Sequence, residues 1–295
     1  MGCDITADAC KSVMGFTGMG SGKDLNNNDQ DMIALNTAGG NNNSGSTELS
    51  EQFLPAGAKV TYALLEWSAN RSQLDTEWTG KTSQARFRVP NGDYEPITAD
   101  TVSVRTEDAR DYYQARANVT ALVAAAGNGT YSLADMALAA SDLDPTATYY
   151  GGFTLTVVYE LPSLPVSRVA LFAGSQWVTS ASTADFSFYA DKTAQVSVGW
   201  TAWDGDRGTS GDHASLDSDN FQSYGWSGTA LTKSDAANAA DSTAFGSKYA
   251  NTLGVDAKSF VTKDKVKSGL HKIRAWTAGD NYLIGSLTVT LTYGD

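Results

Sequence analysis

The run Lys59–Trp67 (KVTYALLEW) is the most strongly patterned part of the sequence. β-branched, aromatic and aliphatic residues dominate it, and its first half alternates between polar and apolar positions, which predicts a β-strand. Similar runs follow at 85–89, 101–105, 152–159, 168–172, 186–189, 194–203 and 283–293. Because no regular helical pattern alternates with these runs, the sequence predicts an all-β fold built from antiparallel sheets.

The strands are expected to stack as an antiparallel β-sandwich or a jelly-roll-like fold, since each sheet must bury one apolar face against a second sheet. The spacing is compatible with one large sandwich or with two closely packed sandwiches. A single short helix is predicted over Val119–Ala126, with Asn118 as its N-cap and Gly127 as its end. Long polar loops are expected between strands, above all at 204–248.

Composition divides the chain into three parts. Residues 1–50 are dense in Asn, Gly and Asp and predict a polar N-terminal arm, with one strand at Met32–Leu35. Two prolines in Leu161–Pro165 prevent continuous ladder pairing, so a boundary is expected there. The prediction is therefore an arm over 1–50, a first sandwich half over 51–165 and a second half over 166–295.

Cys3 and Cys10 are the only cysteines in the sequence. Their spacing differs from that of a redox CxxC motif, and a metal site would need further ligands nearby, so a disulfide loop in the arm is predicted. A disulfide indicates an oxidising compartment, and an extracellular location is expected. The small charged fraction, 18% of the chain, is typical of an extracellular β-protein with polar loops.

The chain has 21 basic and 33 acidic residues and a formal net charge of −12. A nucleic-acid surface needs a basic face that releases counterions, so a nucleic-acid partner is excluded. The basic stretch Lys258–Lys272 is diluted by Asp264 and is interpreted as a solvated face. No apolar run reaches the length of about 18 residues that a spanning helix needs, so membrane insertion is not expected.

Two acidic loops are candidate calcium sites. Asp24, Asn26 and Asn28 have the spacing of the first three ligands of a calcium loop, although the EF-hand glycine and glutamate do not follow. The second loop contains a set of carboxylates among glycines, at Asp204, Asp206 and Asp212. Calcium is the one cofactor predicted, and both loops are equally compatible with polar turns that hydrogen-bond their own backbone.

Catalysis has little support in the sequence. Two histidines, His213 and His271, rule out a three-histidine zinc site, and no nucleophile motif precedes a helix. No catalytic residues are assigned, and the chain is not expected to be an enzyme. A carbohydrate-active enzyme is the weaker alternative, because any two carboxylates could act as acid and base.

Two tryptophans, Trp203 and Trp226, are candidate ligand contacts, because exposed indole rings stack on sugars and proteins, although tryptophan in a sandwich more often belongs to the core. A covalent crosslink from a lysine to Asn or Asp beside a buried acid is a further hypothesis. Lys59, at the start of a strand, is the candidate lysine, with an exposed edge lysine as the alternative.

An ordered series of short motifs resembles the N-terminal head region of large actinobacterial-type (Gram-positive) cell-surface, adhesin-like proteins. The motifs are Leu54–Val60 with Leu65–Trp67, Ala117–Val123 with Gly127–Tyr131, Gly151–Glu160, Arg168–Gly174, Trp203–Asp206 with Gly211–Asp212, Leu253–Asp256 and Thr277–Tyr282. In such proteins tandem repeat domains and a wall anchor usually follow. The resemblance implies one exported, surface-displayed, non-catalytic unit, and it supplies no catalytic residues.

The function expected from these observations is adhesion to a host, matrix or neighbouring-cell glycan or protein. The alternative is a structural subunit that assembles with copies of itself into extracellular filaments, through the N-terminal arm or an open edge strand. The two functions predict different behaviour in solution, because only the second requires growth into long polymers.

Overall fold

The computed structural model describes residues 1–3, 8–15, 25–72, 80–107, 109–138, 149–217, 219–220, 223–226, 231–233, 237–262 and 264–294. The chain divides into two units. The first comprises Met1–Val13, Asn27–Leu161 and Gly246–Lys248, and the second comprises Met14–Asn26, Pro162–Phe245 and Tyr249–Asp295. The main division therefore falls inside the segment that contains the two prolines.

The first unit contains two four-stranded antiparallel sheets. Its strands in the described residues are β1 (Ser44–Leu49), β2 (Lys59–Ser72), β3 (Gln84–Arg88), β4 (Glu95–Thr98), β5 (Thr101–Glu107), β6 (Arg110–Asn118), β7 (Gly129–Ala134) and β8 (Gly151–Glu160). The sheet orders are β1-β7-β3-β4 and β5-β6-β2-β8. The run KVTYALLEW opens β2, which pairs with β6 on one side and β8 on the other.

The two sheets of the first unit bury a common core. Trp67 of β2 and Tyr113 of β6 are fully buried, and they belong to the same cluster as Phe87 of β3 and Tyr131 of β7. The rings of Phe87 and Tyr131 stack with their centroids 5.9 Å apart. Since the cluster draws on both sheets, the first unit is a β-sandwich, as the alternating pattern predicts.

Helices are short in the described part of the chain. They are α1 (Asp8–Met14), α2 (Thr120–Ala126) and one 3-10 turn at Asn27–Asp29. No helix among these residues is long and apolar enough to cross a membrane. The prediction of one short helix at 119–126 is confirmed by α2, whereas α1 was not anticipated.

The capping of α2 differs from the prediction. Val119, not Asn118, occupies the N-cap position, and it makes no side-chain cap bond. Asn118 Oδ1 instead accepts hydrogen bonds from the backbone N and from Oγ1 of Thr120, at 3.0 and 2.6 Å. The helix ends at Gly127, whose φ of 68° is readily adopted by glycine.

The described residues of the predicted arm contain a disulfide, a helix and a strand. The predicted disulfide between Cys3 and Cys10 is present, with the Cα atoms 5.6 Å apart. The strand predicted at Met32–Leu35 is absent, because Ile33 forms only an isolated bridge with Gly2. Residues of β1 pair with β7 throughout their length, so this part of the predicted arm is a component of the first sandwich.

The second unit also contains two antiparallel sheets. Its strands in the described residues are β9 (Ser167–Val178), β10 (Ala184–Ala190), β11 (Gln195–Trp203), β12 (Asp212–Leu216), β13 (Asp219–Asn220), β14 (Ser223–Trp226), β15 (Leu231–Lys233), β16 (Val255–Val261), β17 (Gly269–Thr277) and β18 (Tyr282–Thr292). The six-stranded sheet has the order β15-β14-β16-β11-β18-β9, and the four-stranded sheet has the order β10-β17-β12-β13.

A second hydrophobic cluster joins these two sheets. It includes Val198 and Trp200 of β11, Leu287 of β18 and Ile273 of β17. The second unit is therefore a sandwich as well, and the all-β prediction is confirmed. The prediction of a long loop over 204–248 is wrong in part, because the short strands β12 to β15 interrupt it. Each of these strands has too few residues to show a clear apolar pattern in the sequence.

Candidate functional site

Four aspartates converge at one end of the second sandwich. Asp204 and Asp206 follow β11, Asp212 begins β12, and Asp280 lies in the turn before β18. Asp212 pairs with Thr277, the last residue of β17. β11 and β12 belong to the two different sheets of the sandwich. The residues at their ends lie close enough to Asp280 for their charges to act on its carboxyl group. We name Asp204, Asp206, Asp212 and Asp280 the aspartate cluster.

The aspartate cluster favours protonated carboxyl groups. Burial, followed by the charges of the other three members, raises the pKa of Asp280 to about 9. Burial also raises the pKa of Asp212 to about 6, although the nearby charge of Lys258 opposes this shift. Like charges that share a buried site cannot all ionise at neutral pH, so the cluster carries less than its formal charge.

Side chains from distant parts of the sequence fix the backbone of the aspartate cluster. Asn238 Nδ2 donates to the carbonyl oxygen of Asp206 at 2.9 Å. The half-buried Arg207 donates through Nη1 to the carbonyl oxygen of Ala250 at 2.8 Å. The amide group of Asn238 and the guanidinium group of Arg207 thus hold the loop, and the charges of Asp241 and Asp256 act on Arg207.

The first predicted calcium loop is only partly brought to this cluster. Asp24 lies outside the described residues, and Asn28 is exposed. Asn26 is buried, and its Oδ1 accepts a hydrogen bond from the backbone N of Gly208 at 2.6 Å, while its Nδ2 donates to Thr209 Oγ1 at 3.0 Å. Asn26 therefore supports the second acidic loop by direct hydrogen bonds.

The side-chain geometry does not by itself define a calcium site. In the portion of the chain that the structure describes, no three Asp, Glu, His or Cys side chains are arranged to hold one metal ion. Asp204, Asp206 and Asp212 each act on Asp280 through their charges. Calcium binding at these residues stays a prediction that rests on the concentration of buried negative charge.

Calcium is expected to raise the thermal midpoint of the purified protein relative to a chelator. A ligand that binds only the folded state at 100 times its Kd adds about 2.7 kcal/mol to the free energy of unfolding. Differential scanning calorimetry in calcium, in magnesium and in chelator measures the effect, with Asp280→Asn as a variant whose side chain cannot ionise to bind the ion. Equal midpoints in calcium and chelator would refute the calcium prediction.

A buried lysine lies next to this region. The interpretation of Lys258–Lys272 as a solvated face is wrong for Lys258, whose side chain is fully buried. Its Nζ contacts Asp241 Oδ1 and lies 3.2 Å from Asp256 Oδ1. The alternation of β16 places Asp256, Lys258 and Phe260 on the buried face of the strand. We name Lys258, Asp241 and Asp256 the lysine triad.

The two carboxyl groups of the lysine triad differ in their proton affinity. Burial raises the pKa of Asp256 to about 7, although the charge of Lys258 opposes this shift. Burial acts in the same sense on Asp241, but the charge and hydrogen bond of Lys258 and a hydrogen bond from Thr243 outweigh it, so its pKa lies below the usual value. At neutral pH, Asp241 is the ionised partner and Asp256 holds a proton for part of the time.

The packing around Asp256 requires a glycine. A Cβ atom at Gly205 would lie 2.5 Å from Asp256 Oδ2 and 2.5 Å from the carbonyl oxygen of Ala240. Any side chain at this position would displace the backbone or the carboxyl group. Gly205 therefore allows the loop after β11 to approach the lysine triad closely.

The structure describes the side chain of Trp203 among the two predicted ligand contacts. Trp203 is fully buried, which contradicts its prediction as a residue that stacks on a ligand. Trp226 ends β14, but its side chain lies outside the described residues. Trp200 is buried too, and its ring meets that of Phe260 edge-on at 4.8 Å. Trp200 and Trp203 are core residues, the alternative that the sequence left open.

An exposed apolar pair occupies the outward side of β10 and β17. Tyr189 and Leu270 are directly paired across these strands and are 54% and 72% exposed. Further along the same side, Asp185 accepts hydrogen bonds from Arg274 Nε at 2.8 Å and from Lys272 Nζ at 3.4 Å. We name this surface the β10–β17 face. It combines an apolar end with a charged end.

The β10–β17 face borders a free sheet edge and an aromatic pair. Among the described strands, β10 is the terminal strand of its sheet, so one row of its backbone groups has no ladder partner in this part of the chain. On the side of β17 away from β10, His213 of β12 is paired with Trp276 of β17, and their rings stack with centroids 5.1 Å apart. An extended peptide or a flat ring has suitable contacts on such a surface.

Comparison with known proteins does not assign a family. No family model and no curated protein matches the sequence. Among solved structures, the major capsid protein P2 from bacteriophage PM2 is 11% identical over 89% of this chain and 96% of that chain, with a TM-score of 0.23. Infectious bursal disease virus, Gx strain, gives 13% identity over 80% of this chain and 58% of that chain, with a TM-score of 0.22. At such TM-scores neither likeness assigns a fold or a function.

Proposed function

We propose that the chain is a non-catalytic module displayed outside the cell, where it binds a glycan or protein of a host, matrix or neighbouring cell. The observation that carries this proposal is the exposed cross-strand pair Tyr189 and Leu270 on the β10–β17 face. Large apolar side chains at this degree of exposure are typical of interaction surfaces when polar groups surround them. Asp185, Lys272 and Arg274 supply those polar groups.

The extracellular location is supported by independent features. The disulfide between Cys3 and Cys10 is compatible with an oxidising compartment. Two antiparallel sandwiches with polar connections are typical of secreted and surface domains. The low charged fraction of 18% is in keeping with this class.

The second candidate function is assembly of copies into filaments. Its support comes from the sheet edges of the second unit, since β9 ends the six-stranded sheet and β10 ends the four-stranded sheet. Val166, just before β9, is 80% exposed, and Val169 on β9 is also exposed. Long edge strands that present apolar side chains can add a strand from another molecule.

Binding assays with surface variants test the proposed function. Tag-free protein is passed over immobilised glycans and extracellular-matrix proteins by surface plasmon resonance, and the double variant Tyr189→Ser, Leu270→Ser is compared with it. We expect at least a tenfold loss of binding in the double variant, because interface aromatic anchors contribute several kcal/mol. Val104→Ser, an exposed position on β5 of the first unit, is the matched control and should bind like the parent chain.

Light scattering on the same samples separates the two functions. A mass of 31.1 kDa in both calcium and chelator is expected for a ligand-binding module. Growth into long polymers that the double variant prevents would favour filament assembly instead. Equal binding by the parent chain and the double variant would contradict a role of the β10–β17 face, and a parent chain that binds no probe would contradict the adhesive function.

A further inference from the structure

The lysine triad has the arrangement of an amide-forming site. Lys258 Nζ contacts one carboxyl group, that of Asp241, and lies 3.2 Å from a second, that of Asp256. We propose that Lys258 Nζ and Asp241 Cγ become joined by an intramolecular amide bond, and that Asp256 carries the protons during its formation. This inference does not depend on the ligand-binding role proposed above.

Exclusion of water favours the bond. The side chains of Lys258 and Asp256 have no solvent exposure, and that of Asp241 is 11% exposed. Amine and carboxyl group are held together by the fold, which replaces a bimolecular encounter with a high effective concentration. The water that would hydrolyse an amide or solvate the two charges has little access, so condensation is favoured over the separated ions.

Thr243 orients both carboxyl groups. Its Oγ1 donates a hydrogen bond to Asp241 Oδ1 at 2.7 Å, and its backbone N donates to Asp256 Oδ1 at 3.1 Å. The backbone of Lys258 is held in turn by pairing with Trp200 of β11. The three reacting side chains are thus positioned by a turn and by an interior strand, which limits their freedom before the reaction.

Lys59, the lysine that the sequence analysis selected for a crosslink, has a different environment. It lies at the exposed start of β2 and forms an ion pair with Glu160, whose Oε1 is 2.9 Å from its Nζ. Both side chains are mostly exposed, and bulk water solvates the amine and the carboxylate. The structure therefore assigns the crosslinking chemistry to Lys258, and Lys59 is an exposed edge lysine.

The reaction balances without any other reactant. A proton passes from the Lys258 ammonium group to the Asp241 carboxylate, which leaves a neutral amine and a neutral acid. The amine nitrogen attacks Cγ of Asp241, and the C–N bond forms. Asp256 donates its proton to the departing hydroxyl group and takes up a proton from the nitrogen. The C–O bond breaks, one water molecule leaves, and Asp256 returns to its original state.

The proton affinity of Asp256 suits this role. Its burial raises the pKa to about 7, so the group can both hold and release a proton at neutral pH. Asp256 also lies next to the nitrogen that must lose a proton, at 3.2 Å. The geometry comes first in this assignment, and the raised pKa agrees with it.

Intact-mass spectrometry of the parent chain tests the bond directly. After denaturation and reduction of the disulfide, the expected mass is lower than the sequence mass by one water molecule. A mass equal to the sequence mass overturns the proposal, whatever the behaviour of any variant. Because the measurement is made on unfolded protein, non-covalent contacts cannot imitate the loss.

Peptide mapping identifies the two linked residues. Trypsin releases Asp241 within Ser234–Lys248, and it separates this peptide from the one that begins at Tyr249. Acylation of Lys258 blocks cleavage after it, so the expected product is Ser234–Lys248 joined to Tyr249–Lys263. A single peptide Tyr249–Lys263 that has lost water would place the bond on Asp256 and overturn the assignment of Asp241.

Three conservative variants complete the test. Lys258→Arg keeps the positive charge but lacks the amine nucleophile, and its mass should equal its own sequence mass. Asp241→Asn keeps the acyl group and should lose one ammonia molecule in place of water when it reacts. Asp256→Asn should remain unlinked, and full linkage in this variant would overturn the role of Asp256. Lys59→Arg is the matched control and should lose one water molecule, like the parent chain.

Discussion

Replacing Lys258 with methionine is expected to lower the free energy of unfolding by about 3–5 kcal/mol. The substitution keeps the length of the side chain but removes the nitrogen that contacts Asp241 and Asp256, so the variant has two buried carboxyl groups without their nearest partner. Arg207 interacts with both aspartates but donates its hydrogen bond to a backbone carbonyl. Loss of the amide bond acts in the same direction. Chemical denaturation followed by tryptophan fluorescence measures the change.

Lys59→Met is the control for the loss of a lysine charge. Lys59 and Glu160 form an ion pair in which both side chains are mostly exposed, so water replaces the partner when one is removed. We expect little change in the unfolding transition of this variant. Equal stability of the Lys258→Met protein and the parent chain would show that Lys258 is not held as the structure places it.

Replacing Trp67 with alanine is the second change with a large expected effect, a loss of about 3–5 kcal/mol. Trp67 is fully buried at the centre of the first sandwich, among side chains of both sheets. Alanine would leave a cavity that the paired strands β6 and β8 prevent from closing. It would also remove the hydrogen bond from Trp67 Nε1 to the carbonyl oxygen of Thr82, which measures 3.2 Å.

Val104→Ala on β5 is the matched control, because it shortens an exposed side chain of the same sheet. A change within about 0.5 kcal/mol is expected for this surface position. Calorimetry or denaturant titration on both variants gives the comparison. If Trp67→Ala and Val104→Ala had similar stabilities, the first unit would not contain the core described above.

The all-β fold was predictable from sequence because its strands carry strong local patterns. KVTYALLEW opens β2, and the long apolar runs at β8, β11 and β18 lie where the sequence indicates. A boundary was predicted at the prolines of Leu161–Pro165, and one of the divisions between the two units falls between Leu161 and Pro162. Short strands such as β12 and β13 could not be predicted, because so few residues show no measurable period. β12 pairs with β17, and β13 pairs with β12.

The buried polar groups were only partly predictable. The sequence indicates an acidic loop at Asp204, Asp206 and Asp212, because these carboxylates lie among glycines. Asp280 comes close to them only through the pairing of strands that are distant in sequence. Lys258 was misjudged because charged residues normally face water. In β16 the charged residues Asp256 and Lys258 lie on the buried face of the strand together with Phe260, and small residues lie between them in sequence. The alternation of Asp256 and Lys258 with the apolar Phe260 was the available signal for a buried charged pair.

The strand order of the six-stranded sheet has a consequence for folding during synthesis. β18 lies between β11 and β9, yet it follows all the other described strands in sequence. β18 is the neighbour of β9 among the described strands, so β9, which ends at Val178, waits for a partner that begins at Tyr282, about a hundred residues later. The first unit, whose strands end at Glu160, can pair all its strands much earlier. Long-range pairing of this kind folds slowly and leaves edges open to aggregation. We therefore expect the second unit to set the rate of maturation and to be the part of the nascent chain that chaperones protect.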